Sequence, residues 1–158
     1  MSRILIVDDD ERVTRLLKKI LEADKHNVMI ASNGCDGFKQ ASKVMPDLVI
    51  ADIMMPDMDG LEMLEKIKDL KGHTWTIPVI MLTGVPPEKA MRRAMSSYAE
   101  CYLVKPVDET VLMPVVRRIL AVKKPMKKSE ALLLAAEEWL SRSLGLSKTK
   151  QTEADEDE

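Results

Sequence analysis

The chain has 158 residues, enough for one domain of ordinary size with a remainder. It is 46% apolar and 32% charged, a balance that excludes a disordered chain, and no apolar run approaches the ~18 residues a membrane-spanning helix needs. The net charge is −2, but Glu153, Asp155, Glu156, Asp157 and Glu158 crowd the carboxyl end; setting those five acids aside leaves +3 on residues 1–152. That charge is too small and too scattered to argue for nucleic acid.

Ile4–Val7 is an apolar run that stops at Asp8-Asp9-Asp10. It reads as a buried strand, and its apolar core is too short for a signal peptide. Val13, Leu16, Leu17, Ile20 and Leu21 then recur at helical spacing, with Asp10 placed to cap the helix. Val28–Ala31 is a second strand, closed by the turn residues Ser32-Asn33-Gly34, and residues 35–44 form a short helix. Leu48–Ala51 runs straight into Asp52, followed by Pro56 and Gly60, so Asp52 stands at the carboxyl end of a strand buried on both faces. Leu61, Met63, Leu64, Ile67 and Leu70 predict a third helix, ended by Lys71-Gly72-His73-Thr74.

Val79–Leu82 is the fourth strand and leads into Thr83-Gly84; residues 88–97 predict a fourth helix. Cys101–Val104 is the last strand and ends at Lys105-Pro106, and a fifth helix runs from about Asp108 to Val122. Pro114 lies inside that helix, where its missing N–H predicts a kink or a distorted first turn. Strands alternating with helices over ~120 residues imply a doubly wound parallel sheet of five strands, with helices on both faces. Cys35 and Cys101 lie far apart, with no metal-ligand spacing, and read as reduced small apolar fillers in a cytoplasmic protein. His26 and His73 read as loop residues, and the twelve methionines as core or groove fillers, since none has ligand-like clustering.

Five polar positions share one address. Asp8 and Asp9 follow the first strand, Asp52 the third, Thr83 the fourth and Lys105 the fifth. In a parallel sheet these carboxyl ends lie along one edge, where open α/β folds bind their ligands. Three carboxylates gathered there resist joint ionisation unless a cation joins them, and hard oxygen ligands suit Mg²⁺. A hydroxyl and an ammonium beside them suit the oxygens of a phosphoryl group. Taken singly, each feature has a plainer account: Asp8-Asp9-Asp10 as a helix cap with solvated acids, Lys105 as a surface lysine, Thr83 as a turn residue, Tyr102 as a half-exposed strand aromatic.

Together, Ile4-Leu-Ile-Val-Asp-Asp9, Pro46-Asp-Leu-Val-Ile-Ala-Asp52-Ile-Met-Met-Pro56-Asp-Met-Asp-Gly60, Met81-Leu-Thr83-Gly84 and Tyr102-Leu-Val-Lys105-Pro106 resemble the motifs of response-regulator receiver domains of two-component signalling. The resemblance covers roughly residues 2–122. It implies a flavodoxin-like (βα)5 fold in which Asp52 accepts a phosphoryl group from a sensor histidine kinase or a histidine phosphotransfer protein. It further implies that Asp9, Asp52 and the Met54 backbone carbonyl bind Mg²⁺, with Asp8 acting through water. Lys105 and Thr83 would contact the phosphoryl group, Tyr102 would swing inward behind Thr83, and Lys105-Pro106 would be cis. Met54 and Val85 border the path of the hydrolytic water in the family; being apolar, they predict slow autodephosphorylation.

The expected protein is a signalling module that catalyses only its own phosphorylation and dephosphorylation. A phosphorelay intermediate and an unphosphorylated scaffold module are the alternatives. An aspartyl-phosphate hydrolase would need a second acid two residues past the nucleophile, where this chain has Met54. Residues 1–122 are taken as the receiver, 123–128 as a basic linker, 129–145 as an amphipathic helix with the stripe Leu132, Leu133, Ala136, Trp139, Leu140 and Leu144, and 146–158 as a disordered acidic tail. The stripe is expected to bury against the receiver, in a homodimer or on an output partner. The family presents output partners with the face of the fourth helix, last strand and fifth helix. No membrane partner is expected.

Overall fold

The computed structural model describes residues 1–69, 72–84 and 98–122. Five parallel strands, β1 (Arg3–Val7), β2 (Asn27–Ala31), β3 (Leu48–Asp52), β4 (Val79–Thr83) and β5 (Cys101–Val104), form one sheet in the order β2-β1-β3-β4-β5. The described helices are α1 (Glu11–Ala23), α2 (Gly34–Val44), α3 (Gly60–Ile67) and α4 (Glu109–Ala121). The doubly wound five-stranded arrangement expected from the sequence is the one observed. The predicted helix over 88–97, Val85, and everything assigned beyond residue 122 lie outside the described residues.

Side-chain alternation along the strands sorts the core into two layers. Leu5, Val7, Val49, Ala51, Val79, Met81 and Tyr102 face α2 and α3, which contribute Ala41, Met63, Leu64 and Ile67. Ile4, Ile6, Leu48, Ile50, Ile80, Leu82 and Leu103 face the other way, against Leu17 and Leu21 of α1 and Leu112, Met113 and Val116 of α4. Burial on both faces is why β1, β3, β4 and β5 read as continuous apolar runs rather than alternating ones, whereas β2 is partly exposed.

Each helix starts on a side-chain cap that follows a strand within a few residues. Asp10 accepts from the Arg12 N–H, Asn33 from Asp36, and Asp108 from Val111. Asp59 forms a complete capping box with Glu62. These caps satisfy orphan amide donors and aim every helix back from the same rim of the sheet.

Two local expectations need correction. α3 ends at Ile67 with Lys68 as its C-cap, short of the reach toward Leu70 that the sequence suggests, and a short 3₁₀ turn, Thr74–Thr76, lies before β4. The helix assignment of α4 is continuous through Pro114, where both Pro114 and Thr110, whose carbonyl loses its donor, are exposed, so water can replace the lost bond. Cys35 is exposed and is no filler, whereas Cys101 is buried as expected.

Candidate functional site: an acidic pocket at the carboxyl rim

The strand ends bring the predicted polar residues together. Asp8 continues from β1, whose central position between β2 and β3 puts it beside Asp52 at the end of β3. One carboxylate oxygen from each of Asp8, Asp9 and Asp52 falls in a group whose members lie within 4.8 Å of one another. Lys105, just past β5, reaches across two strands to this group. Its Nζ lies 2.9 Å from Asp8 Oδ2 and 3.3 Å from Asp52 Oδ1. The second oxygen of Asp8 accepts the Asp10 N–H at 2.9 Å, which holds the carboxylate in place at the mouth of α1.

The pocket is dry on one side and open on the other. Asp8 and Asp52 are 2% and 5% exposed, whereas Asp9 is exposed. Burial and the neighbouring Asp8 charge hold the Asp52 carboxyl above the ordinary carboxylate range; Lys105 and the Met54 backbone N–H pull the other way without prevailing. Burial also works against the Lys105 ammonium, but its hydrogen bond to Asp8 and the charges of Asp52 and Asp8 win and raise its pKa. Three carboxylates against one ammonium leave a net negative pocket of hard oxygen donors. That donor set fits Mg²⁺ rather than a softer metal.

Thr83 closes β4 at the same rim, is buried, and its carbonyl accepts the Lys105 N–H at 2.7 Å. Tyr102 pairs with Met81 in the β4–β5 register and is 4% exposed within the core layer that faces α2 and α3. The half-exposed strand position considered for it is therefore excluded. The Lys105–Pro106 peptide is cis, as the resemblance implied. Met54 projects outward beside the pocket, 61% exposed, while Met55 is buried beneath it.

Gly60 sits on the backbone of Asp52. A Cβ at Gly60 would stand 2.0 Å from the Asp52 carbonyl oxygen and 2.8 Å from Met81 Cε. The loop from Ile53 folds back so tightly that Gly60 N–H reaches the Ile53 carbonyl at 2.9 Å. Asp57, at φ 65°, makes the left-handed step that the return requires. The sequence reading took Gly60 only as a turn residue and missed this close approach.

Comparison with known proteins agrees with the architecture. The response regulator receiver domain model matches residues 4–117, and this chain belongs to that family. The protein PilH of Pseudomonas aeruginosa is 38% identical over 122 residues, covering 77% of this chain and 99% of PilH. The response regulator PleD of Caulobacter vibrioides is 35% identical over 122 residues; that match covers 77% of this chain but only 27% of PleD. Among solved structures, the CheY-like receiver domain protein of Methanospirillum hungatei superposes with a TM-score of 0.71 at 32% identity, covering 78% of this chain and 96% of that one. Receiver domains are signalling modules of two-component systems, and no described helix is long and apolar enough to cross a membrane.

Proposed function

We propose that Asp52 is the phosphoacceptor of this receiver, taking a phosphoryl group from a phosphohistidine on a sensor kinase or phosphotransfer protein. One observation carries the reading: three carboxylates and the Lys105 ammonium, drawn from the ends of β1, β3 and β5, meet at one half-buried point. An Asp52 oxygen attacks phosphorus in line, the P–N bond to the donor imidazole breaks, and its electron pair leaves on the ring nitrogen. Mg²⁺, held by Asp9, Asp52 and the Met54 carbonyl with Asp8 behind, would supply charge neutralisation at the transferring group. Lys105, already suspended between Asp8 and Asp52, needs only a small movement to meet a phosphoryl oxygen.

The product places a dianion where a carboxylate stood, which favours any donor at the same rim. Thr83 is the hydroxyl on the neighbouring strand end, and its movement toward the phosphoryl group favours retention of Tyr102 in the core layer behind it. Phosphorylation therefore acts as a bias on a two-state element that includes β4 and β5. The output partner is read as docking on the face that carries β5 and α4.

The test is incubation with acetyl phosphate and Mg²⁺, followed by intact mass. The wild type is expected to gain one phosphoryl group, and Asp52→Ala and metal-free wild type none. After donor removal the label is expected to persist for minutes, because exposed, apolar Met54 cannot orient the hydrolytic water. Equal labelling of Asp52→Ala would overturn the assignment of the acceptor, and a lifetime of seconds would overturn the role given to Met54.

A further inference from the structure

A second lysine–carboxylate contact lies at the opposite rim, and nothing in the phosphoryl chemistry uses it. Lys68, which closes α3, is 8% exposed, and Glu100, just before β5, is 1% exposed. Lys68 Nζ lies 2.8 Å from Glu100 Oε1 and donates also to the carbonyls of Ile77 at 2.6 Å and Trp75 at 3.4 Å. All three ammonium protons thus have an acceptor. The other Glu100 oxygen, Oε2, accepts the Val79 backbone N–H, while the Glu100 N–H donates to the Val79 carbonyl at 2.9 Å.

Glu100 therefore takes both backbone groups of the first residue of β4, one with its amide and one with its side chain. In a parallel pair both groups point to the same neighbour, and at Val79 they point past the start of β5. The carboxylate supplies the acceptor that a longer β5 would have provided as a carbonyl. Lys68 then fixes that carboxylate from the far side, through the end of α3 and the 3₁₀ turn.

β5 most needs such a device. It has four residues, the fewest of the five, and is an edge strand that pairs among the described strands with β4 alone. A one-residue slip would move Tyr102 from the layer facing α2 and α3 to the opposite layer. It would also displace Lys105, whose contacts with Asp8 and Asp52 lie at the other end of the same strand. A buried ion pair adds little net stability over an apolar pair of similar volume, so a gain in register is the effect that this geometry offers.

We propose that Glu100 is a positioning residue: through its two hydrogen bonds to Val79 it clamps the start of β5 to β4 and so sets where Lys105 and Tyr102 stand at the phosphoryl site. The proposal rests on the reading of Asp52 as phosphoacceptor. Two charge-free double variants isolate the clamp. Lys68→Met/Glu100→Gln keeps an acceptor for Val79 N–H, whereas Lys68→Met/Glu100→Leu removes it; neither leaves an unpaired buried charge.

Amide hydrogen exchange is read for Cys101–Val104 against β1 and β3, together with phosphoryl uptake from acetyl phosphate and Mg²⁺. In the leucine variant, exchange in β5 is expected to rise about tenfold beyond any rise in β1 and β3, and uptake to fall about tenfold. The glutamine variant should keep both within about threefold of wild type. Equal behaviour of the two variants, or exchange rising evenly through the sheet, overturns the proposal. If the leucine variant does not fold, Glu100→Asp, which withdraws the carboxylate by one methylene, serves in its place with the same expectations. A wild type that takes up no phosphoryl group would contradict the Asp52 reading instead, and the exchange comparison alone would then decide the clamp.

Discussion

At the scale of single residues, the pocket works because each side chain is placed by a strand end rather than by a flexible loop. Asp8, Asp52, Thr83 and Lys105 were legible in the sequence because each ends an apolar run, and a doubly wound sheet has one rim for all such ends. Lys68 and Glu100 were not read, because their meeting joins positions 32 residues apart through tertiary packing. A signal did exist: Leu61, Leu64 and Lys68 fall at i, i+3 and i+7, so a lysine occupies the apolar stripe of α3. Gly60 yields a direct prediction. Because the added Cβ would meet the Asp52 backbone rather than a yielding side chain, Gly60→Ala should cost about 2–4 kcal/mol and lower phosphoryl uptake as well. Urea denaturation measures the first; a loss below ~1 kcal/mol would show that the loop accommodates the methyl group.

At the scale of elements, the strands emerged from the sequence almost residue for residue: burial on both faces writes β1, β3, β4 and β5 as unbroken apolar runs, while β2, partly exposed at the sheet edge, is marked by the turn residues that close it. Helix ends were less legible. α3 stops at the Lys68 cap, before the apolar periodicity does, and the 3₁₀ turn after it has no periodic signature at three residues. Contacts between elements also carry a pH dependence. Asp24, which caps α1, accepts from Arg117 of α4 at 2.7 Å, and that hydrogen bond holds its carboxyl below the ordinary range. A depressed folded-state pKa gives stability that is present above the unfolded value of ~3.9 and is lost as pH falls through the folded one. Arg117→Ala should therefore be less stable than wild type at neutral pH, with the difference smaller at an acid pH below the unfolded value. Urea midpoints at both pH values check this; a gap that does not change with pH would assign the contact to packing instead.

For the whole molecule, two core layers hold one rim still while a negative pocket at that rim is open to change. β5 links the two functions: its far end carries Lys105 to Asp8 and Asp52, its near end is tied through Glu100 to β4 and α3, and Tyr102 lies between them in the core. Under the proposal that Asp52 accepts the phosphoryl group, the added charge would bias this edge of the sheet, and a partner would read the change there. The family resemblance and the parallel fold were both accessible from the order of motifs. The anchoring of the edge strand was accessible only from coordinates, because it depends on which strand lies outermost.

The most direct test of the account is to locate the phosphoryl group chemically. Borohydride reduces an aspartyl phosphate to homoserine, and peptide mass mapping after reaction with acetyl phosphate then reports the modified position. The account predicts homoserine at residue 52 alone, appearing only when Mg²⁺ is present. Modification at Asp8 or Asp9, or none at residue 52 under conditions where the folded protein binds Mg²⁺, would contradict it.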